Sequence, residues 1–208
     1  MLFMAERCGA WQVGEDPTHG EIQFRVFLPA GADPHIAAIA AVGDFQSALG
    51  GQGWDLASGL PLTRDTTDAR GDFWTARTER PLPAGFYEYK YLVTFDTGET
   101  RVVTDPCARY GGLSSQNSAV VIGGSTASDN VVRPLPEGRK PLQDLNLYEL
   151  MIDDFTAEYR LGLAPLQAIT AKLDRLQAMG ITAILFMPWT TWKNDDFDWG
   201  YEPFQYFA

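Results

Sequence analysis

The sequence predicts a multidomain fold, an antiparallel β-sandwich followed by the start of a parallel α/β barrel. Short alternating strand patterns separated by Gly, Pro and Asp turns fill residues 20–122, which is typical of a sandwich. Two nearly continuous apolar runs then flank an amphipathic helix in residues 145–208, which is typical of parallel strands. The 208 residues are 45% hydrophobic, enough for two packed cores.

The sandwich pattern begins after residues 1–19, which are predicted to be an irregular leader because GEDPTHG consists of turn residues. Residues 21–28 place Ile22, Phe24, Val26 and Leu28 on one face of a half-buried strand. Residues 85–95 place a tyrosine stripe on one face, and its spacing indicates core rather than a cleft. The stripe consists of Tyr87, Tyr89 and Tyr91. Further strands are predicted at residues 35–42, 73–78, 101–104 and 119–122.

The barrel pattern begins with residues 145–152 (LNLYELMI), the apolar run of a strand buried on both faces. Pro165 fits the first helical position, and apolar residues recur on one face through Met179, which predicts a single helix ended by Gly180. Residues 181–187 (ITAILFM) are predicted to be a second strand, parallel to the first. Residues 123–144 are rich in Gly, Ser and Pro and are predicted to be a linker, although a strand packed across the junction also fits.

Composition restricts the possible partners and location. The net charge of −11 argues against nucleic acid and an anionic membrane, whereas a neutral sugar is compatible with it. The N-terminus has no basic start followed by an apolar core, which predicts a cytoplasmic, soluble protein. Cys8 and Cys107 lie far apart without CxxC spacing, so free thiols are predicted.

The last third of the chain resembles glycoside hydrolase family 13, the α-amylase family. The resemblance rests on YELMIDDFT, KLDRLQAMGITAILFMPW and WGYEPFQYFA, which occur in the family's order. One departure is TAEYRLGLA, which stands where the family has a Gly-Thr-Phe-like turn. The sandwich resembles carbohydrate-binding module family 48 through FRVFLPAGA, VGDF, LPAGFYEYKY and DPCAR. Together these resemblances imply an immunoglobulin-like module before a TIM-type (β/α)8 barrel, of which residues 145–208 are an incomplete start.

The resemblance implies an α-glucan-active hydrolase or transglycosylase that works by a retaining mechanism with two carboxylates. The family's catalytic carboxylates follow barrel strands four, five and seven, whereas this chain has two strands and far fewer than the about 250 residues of a complete barrel. We therefore expect no catalytic residue in this chain. The carboxylates considered and set aside are Asp153, Asp154, Asp195, Asp196, Asp198 and Glu202. The alternative is a non-catalytic glycan-binding or regulatory module.

The resemblance also implies substrate contacts in the last loop. Tyr201 of WGYEP matches the family tyrosine that stacks on a sugar ring, and the alternative is a core tyrosine. Trp199 and Asp198 line the site or brace the loop. Trp189 and Trp192 follow the second strand, where aromatic residues more often pack the loop than bind sugar.

On the sandwich, Trp54 and Trp74 are the candidate sugar-binding surfaces, with Lys90 as a donor to hydroxyls. The alternative there is a tryptophan that fills the core of a structural spacer.

The sequence predicts no metal site and no cofactor. Asn194, Asp196 and Asp198 alternate as in a calcium loop, but the sixth position is not Gly, and Gln205 stands where a bidentate Glu is needed. His19 and His35 are isolated, so neither is a ligand candidate. The expected partner is an α-glucan (starch, glycogen or a maltooligosaccharide). The sequence leaves open α-1,4 against α-1,6 bonds, water against sugar as acceptor, and the oligomeric state.

Overall fold

The computed structural model of the chain describes residues 8–31, 35–66, 68–113, 116–123, 138–192 and 199–205. These fall into two compact units. The first consists of Met1–Thr126 together with Phe204–Ala208, and the second of Ala127–Pro203. Strands dominate the first unit, and all but one of the described helices of four or more residues lie in the second. No helix among the described residues is long and apolar enough to span a membrane.

The first unit is built from two antiparallel sheets. In spatial order, one sheet contains β1 (Gly9–Val13), β2 (His19–Pro29), β6 (Gly71–Arg77) and β5 (Thr63–Asp65), and β7 (Leu82–Pro83) also pairs with β2. The other contains β10 (Tyr110–Gly111), β11 (Ser118–Ile122), β8 (Gly85–Phe95), β3 (Ile36–Gly43) and β4 (Leu60–Pro61), and β9 (Thr100–Val103) pairs with β8. A short helix, α1 (Phe45–Ala48), and a 3-10 turn (Leu56–Ser58) lie between β3 and β4. This arrangement agrees with the predicted antiparallel sandwich. The prediction that residues 1–19 form an irregular leader is wrong for residues 9–13, because β1 pairs with β2 as an edge strand of the first sheet.

The alternating residues of β2 and β8 form the sandwich core, as their spacing predicts. Phe24 is fully buried and lies at its centre, with ring centroids 5.2 Å from Phe45, 5.2 Å from Tyr89 and 6.5 Å from Tyr91. The Tyr89 and Tyr91 rings meet edge to face, the arrangement that aromatic pairs favour. Tyr89 and Tyr91 of the stripe are therefore core, and Tyr87 is half-buried and packs against that core.

A buried carboxyl group lies beneath these tyrosines. Asp105 is 0% exposed and accepts hydrogen bonds from the Tyr89 hydroxyl (2.5 Å), the Tyr91 hydroxyl (3.2 Å) and the Cys107 backbone N–H (2.7 Å). Burial raises the pKa of Asp105 from its ordinary 3.8 to about 6, although these hydrogen bonds lower it in part. The structure thus keeps a carboxyl at the core, where only its hydrogen bonds replace water.

The two cysteines form a disulfide, so the prediction of free thiols is wrong. Cys8 and Cys107 are 99 residues apart in sequence, but their Cα atoms are 5.6 Å apart. The backbones also meet closely, because a Cβ on Gly9 would lie 2.5 Å from the Cys107 carbonyl oxygen. Phe27 and Phe73 pack around the disulfide, and their ring centroids are 4.8 Å apart. Sequence spacing missed the pair because the long-range strand topology, not local spacing, brings the two residues together.

The first unit also includes a residue from near the end of the described chain. Gln205 is 0% exposed, and its side-chain amide donates to the hydroxyls of Thr104 (2.8 Å) and Ser118 (2.8 Å). The Ser118 hydroxyl in turn accepts from the Asp105 backbone N–H at 2.8 Å. The predicted sandwich boundary at residue 122 leaves this segment out.

The second unit is a parallel strand-helix-strand arrangement, as the sequence predicts. Its elements are a 3-10 turn (Leu142–Asp144), β12 (Leu147–Leu150), α2 (Ile152–Thr156), α3 (Pro165–Thr170), α4 (Leu173–Ala178), β13 (Ala183–Phe186) and β14 (Thr191–Trp192), while β15 (Pro203–Gln205) extends into the first unit. β12 and β13 pair in parallel, with Leu147 opposite Ala183 and Leu150 opposite Phe186. Of the predicted linker, residues 124–137 lie outside the described residues.

The predicted single helix is divided into α3 and α4. Pro165 does begin α3, but the Thr170 hydroxyl donates to the Leu166 carbonyl (2.8 Å), a contact that bends helices. The chain then tightens, because the Lys172 N–H bonds to Ile169, three residues back, at 2.8 Å.

Gly180 ends α4 as predicted. Its φ is 86°, a left-handed conformation that favours glycine. Its N–H donates to the Gln177 carbonyl (2.9 Å), and the Ile181 N–H donates to the Leu176 carbonyl (3.1 Å). These two bonds form a Schellman motif, which satisfies the last carbonyls of the helix.

The strands of this unit are less covered than predicted. The apolar runs predict burial on both faces, but Leu147 and Leu185 are each 50% exposed. Leu150, by contrast, is 4% exposed. A parallel pair needs layers on both faces to hide such residues, and the described helices cover the pair only in part.

Candidate functional site

The carboxyl ends of β12 and β13 lie at the same edge, because the two strands are parallel. In open and closed parallel sheets this edge is where ligands bind. Asp153 and Asp154 follow β12 in the first turn of α2, and Pro188 and Trp189 follow β13. The edge therefore combines carboxylates with an aromatic ring.

Trp189 projects from this edge. It is 61% exposed, and its ring stacks on that of Phe186 with centroids 5.5 Å apart and planes only 6° from parallel. Phe186 is half-buried at the end of β13. The indole thus rests flat on a strand residue while most of its surface meets solvent.

Trp199, Gly200 and Tyr201 form a turn against the same edge. The φ angles of Trp199 (53°) and Gly200 (88°) are both left-handed, and a Cβ on Gly200 would collide with the Pro188 carbonyl oxygen. Only glycine fits there, so the turn lies directly on the residue before Trp189. Trp199 is 45% exposed and Tyr201 is 59% exposed. Asp198, the third predicted contact of this loop, lies outside the described residues, as do Asp195 and Asp196.

We call Trp189, Trp199 and Tyr201 the aromatic edge. Large exposed apolar side chains that occur together mark binding surfaces more often than singly scattered ones do. Aromatic faces pack against the apolar faces of neutral ligands without needing a charge partner. Trp199 and Tyr201, the predicted contacts of this loop, lie at this edge together with Trp189, which was predicted to pack the loop rather than to bind sugar. The side chain of Trp192 lies outside the described residues.

The described carboxylates of the edge are Asp153, Asp154 and Glu202. Retaining glycosidases hold two carboxyl groups about 5 Å apart across the scissile bond. Here Asp153 accepts a hydrogen bond from Arg160, and Asp154 and Glu202 are exposed.

The sandwich carries one of its two predicted tryptophans at the surface. Trp54 is half-buried in a left-handed conformation (φ 61°), and its backbone N–H donates to the Gly43 carbonyl (3.1 Å) at the end of β3. Lys90, on the neighbouring β8, is opposite Val42. Trp54 and Lys90 thus belong to adjoining parts of one sheet.

Trp74 lies in the core instead. It is 5% exposed, and the guanidinium of Arg64 covers its ring at 5.7 Å. Its ring faces are therefore not available to a sugar, which corrects the prediction. The alternation of β6 explains the error, because the FW pair puts Phe73 and Trp74 on opposite faces and both are buried.

Asp44 adds a polar group beside Trp54 that the sequence-based argument missed. Burial raises the pKa of its carboxyl, and the nearby charge of Glu88 raises it further. Burial also raises the pKa of Tyr87, with a contribution from Asp44. The VGDF motif contains Asp44 and was therefore the sequence feature that could have indicated it. The preceding Gly43 permits the close approach of β8, because a Cβ on Gly43 would collide with the Glu88 carbonyl oxygen.

The geometry defines a class of modular protein, with an antiparallel sandwich unit and a parallel strand-helix-strand unit that bears exposed aromatic residues. Among the described residues, no group of three His, Cys, Asp or Glu side chains could hold a metal ion.

The sequence matches no family model and no curated protein. Among solved structures, the chain is similar to a GBS pullulanase, SAP, in complex with maltotetraose, with a TM-score of 0.61, 17% identity, and coverage of 97% of this chain and 28% of that one. A cyclomaltodextrinase (TM-score 0.35, 13% identity, 89% and 33% covered) and the type III pullulan hydrolase from Thermococcus kodakarensis (0.28, 16%, 88% and 32%) also match. The chain spans no more than about a third of the length of each.

The pullulanase similarity shows a shared fold.

Proposed function

We propose that this chain is the N-terminal, substrate-contacting part of an α-glucan-active glycoside hydrolase or transglycosylase of the α-amylase family. The sandwich is a module of the carbohydrate-binding family 48 type, and residues 145–208 begin a (β/α)8 barrel. The reaction is retaining and uses two carboxylates in the complete enzyme. This chain by itself binds glucan and does not cleave it.

The observation that carries the proposal is the aromatic edge. Trp199 and Tyr201 lie exposed where parallel strands end, and the loop motif WGYEP supplies both. Sugar rings present apolar C–H faces that pack on such side chains. The net charge of −11 favours a neutral glucan over an anionic polymer.

The missing catalytic pair follows from the strand count. The described residues contain one parallel pair, whereas a complete barrel closes eight strands and takes active-site residues from several of them. The half-exposed Leu147 and Leu185 support the same proposal, because further strands would bury them. The similarity to 28% of a pullulanase chain is consistent with a part of a larger fold.

A second candidate function is a non-catalytic glycan-binding module. The closed sandwich core favours it, because a module that folds around its own core does not depend on a barrel. Trp54, with Lys90 and Asp44 nearby, would then be the binding surface.

Affinity electrophoresis of the 208-residue chain distinguishes the two candidates. Gels containing amylose, glycogen or pullulan should retard the wild-type chain, whereas hydroxyethyl cellulose, a soluble derivative of a β-linked glucan, serves as the control. If the aromatic edge binds, Tyr201→Ala abolishes most of the retardation and Trp54→Ala changes it little. The reverse pattern favours the sandwich module, and no retardation of the wild-type chain by any α-glucan contradicts both.

The catalytic part of the proposal has its own test. Reading the coding sequence downstream of Ala208 in the source should reveal carboxylates after barrel strands four, five and seven. The product with that sequence should release or transfer glucosyl units, while the 208-residue chain should not.

A further inference from the structure

We infer that Trp189 is a second stacking surface of the aromatic edge, so that the edge binds two or more consecutive glucose units of an α-glucan chain. This inference rests on the proposed function and names the ligand more narrowly than that proposal does. A site with one aromatic ring would recognise a single or terminal glucose unit, whereas a site with two aromatic rings binds longer chains more tightly than shorter ones.

The side chain of Trp189 is largely exposed to solvent. Trp74, which packs the sandwich core, is 5% exposed, whereas Trp189 is 61% exposed. Burying a large aromatic side chain would be favourable, so leaving it exposed costs stability that loop packing does not recover. The exposed indole is therefore open to a ligand.

The indole ring of Trp189 has a defined orientation on Phe186. Phe186 covers one face of the indole at 5.5 Å with nearly parallel planes, so the exposed surface includes the opposite face. Phe186 itself is held in β13 opposite Leu150, which is 4% exposed. Pro188, whose ring restricts its φ, precedes Trp189. The flat face is thus held in place before any ligand arrives, which lowers the entropic cost of binding.

The backbones of Trp189 and Tyr201 lie close to each other. Gly200 abuts the Pro188 carbonyl oxygen, and each of these residues is the direct chain neighbour of one of the two aromatic residues. With about 3.8 Å between consecutive Cα atoms, the Cα atoms of Trp189 and Tyr201 lie within about 10 Å of each other. One pyranose covers one ring face, so two aromatic side chains whose Cα atoms lie this close are within reach of neighbouring units of one chain.

The ligand class follows from these rings. Both are neutral, and the chain's net charge of −11 disfavours anionic polysaccharides. A flexible neutral oligosaccharide of linked glucose units meets both rings. Maltotetraose is the natural probe, with maltose as the short comparison.

The experiment uses the 208-residue chain labelled with 5-fluorotryptophan and followed by ¹⁹F NMR. The chain has six tryptophans, and the Trp189→Phe spectrum assigns the resonance of residue 189. Maltose and maltotetraose are titrated into the wild type, Trp189→Ala, Trp189→Phe and Tyr201→Ala. Met179→Ala is the matched control, because Met179 is 60% exposed but lies at the end of α4, away from the strand edge.

We expect the wild type to bind maltotetraose more tightly than maltose, and the Trp189 resonance to shift with maltotetraose. Trp189→Ala should weaken maltotetraose binding about tenfold, the loss of roughly one aromatic stack, and leave maltose binding unchanged. Trp189→Phe should retain most of the affinity, Tyr201→Ala should weaken both sugars, and Met179→Ala should weaken neither.

Two results would overturn the inference in distinguishable ways. If the wild type binds maltotetraose and Trp189→Ala binds it equally well, the second stacking surface is excluded while the proposed function survives. If the wild type binds no maltooligosaccharide, both fail. Circular dichroism of Trp189→Ala, whose exposed side chain the fold does not need, separates lost binding from lost folding.

Discussion

Replacing Asp105 by Asn should change how the stability of the sandwich depends on pH. The carboxyl is fully buried, and its pKa is raised from 3.8 to about 6 chiefly by burial. The folded state therefore binds the proton more tightly than the unfolded state does. This contribution to stability is complete below about pH 4 and is lost as the pH rises through about 6.

The size of this change in unfolding free energy follows from the size of the pKa shift of Asp105. At about 1.4 kcal/mol per pKa unit, the wild type should lose on the order of 3 kcal/mol of unfolding free energy between pH 4 and pH 7 through this group. Asp105→Asn has no titrating group there. The difference in unfolding free energy, wild type minus variant, should therefore fall by about 3 kcal/mol across that range.

Urea unfolding measures this difference, with the disulfide kept oxidised. Near-ultraviolet circular dichroism follows the packing of Tyr89 and Tyr91, which contact the carboxyl. Glu15→Gln, on an exposed turn, controls for the loss of one negative charge. Wild-type and Asp105→Asn profiles that run parallel from pH 4 to pH 7, within about 0.5 kcal/mol, would refute the reasoning.

Three further predictions concern the disulfide, a helix end and the exposed strand faces. Cys8→Ser should lower the unfolding free energy by about 2–5 kcal/mol, because it removes the disulfide. Wild-type chain isolated from its source without reduction should show no alkylated cysteine by mass spectrometry. Alkylation of Cys107 in that chain would contradict the disulfide and would suit the predicted cytoplasmic location. Gly180→Ala should cost about 1–2 kcal/mol in urea unfolding followed by far-ultraviolet circular dichroism, because its φ of 86° strains any other residue, and an unchanged midpoint would argue against the Schellman motif. Leu147→Ser combined with Leu185→Ser should raise the saturating concentration of the chain without changing its circular dichroism, because both side chains are half exposed; a loss of structure would mean that they are buried.

Local patterns predicted the elements well where one interaction dominates. The alternation of Ile22, Phe24 and Val26 has one explanation, a strand with one buried face, and the structure has it. Gly180 likewise needs only local geometry to be recognised as a helix end.

Features that depend on distant residues could not be predicted in this way. The pairing of Cys8 with Cys107 requires knowledge of which strands lie side by side. The break between α3 and α4 depends on a threonine hydroxyl competing for a backbone carbonyl, which hydrophobic periodicity does not register.

At the candidate site, the motif drew attention to Trp199 and Tyr201, whereas Trp189 was predicted to pack the loop. Whether a loop tryptophan is covered depends on what lies above it, and only the stack on Phe186 with an open outer face shows this. Trp74 is the converse case, since its chemistry suits sugar binding while its position in β6 buries it.

The contact of Gln205 with Thr104 and Ser118 has a consequence for biosynthesis. N-terminal domains commonly fold while the ribosome is still making the rest of the chain. Here the cysteines can meet once residue 107 has emerged, whereas the Thr104 and Ser118 hydroxyls, which bond to each other at 2.9 Å, receive the Gln205 amide only when that residue, 101 and 87 positions further along, has been made. Between those two moments the nascent sandwich is cross-linked yet still open at one place. A slow stretch of translation in residues 124–204 would prolong that interval, and chaperones that recognise incompletely closed sheets would have their opportunity there.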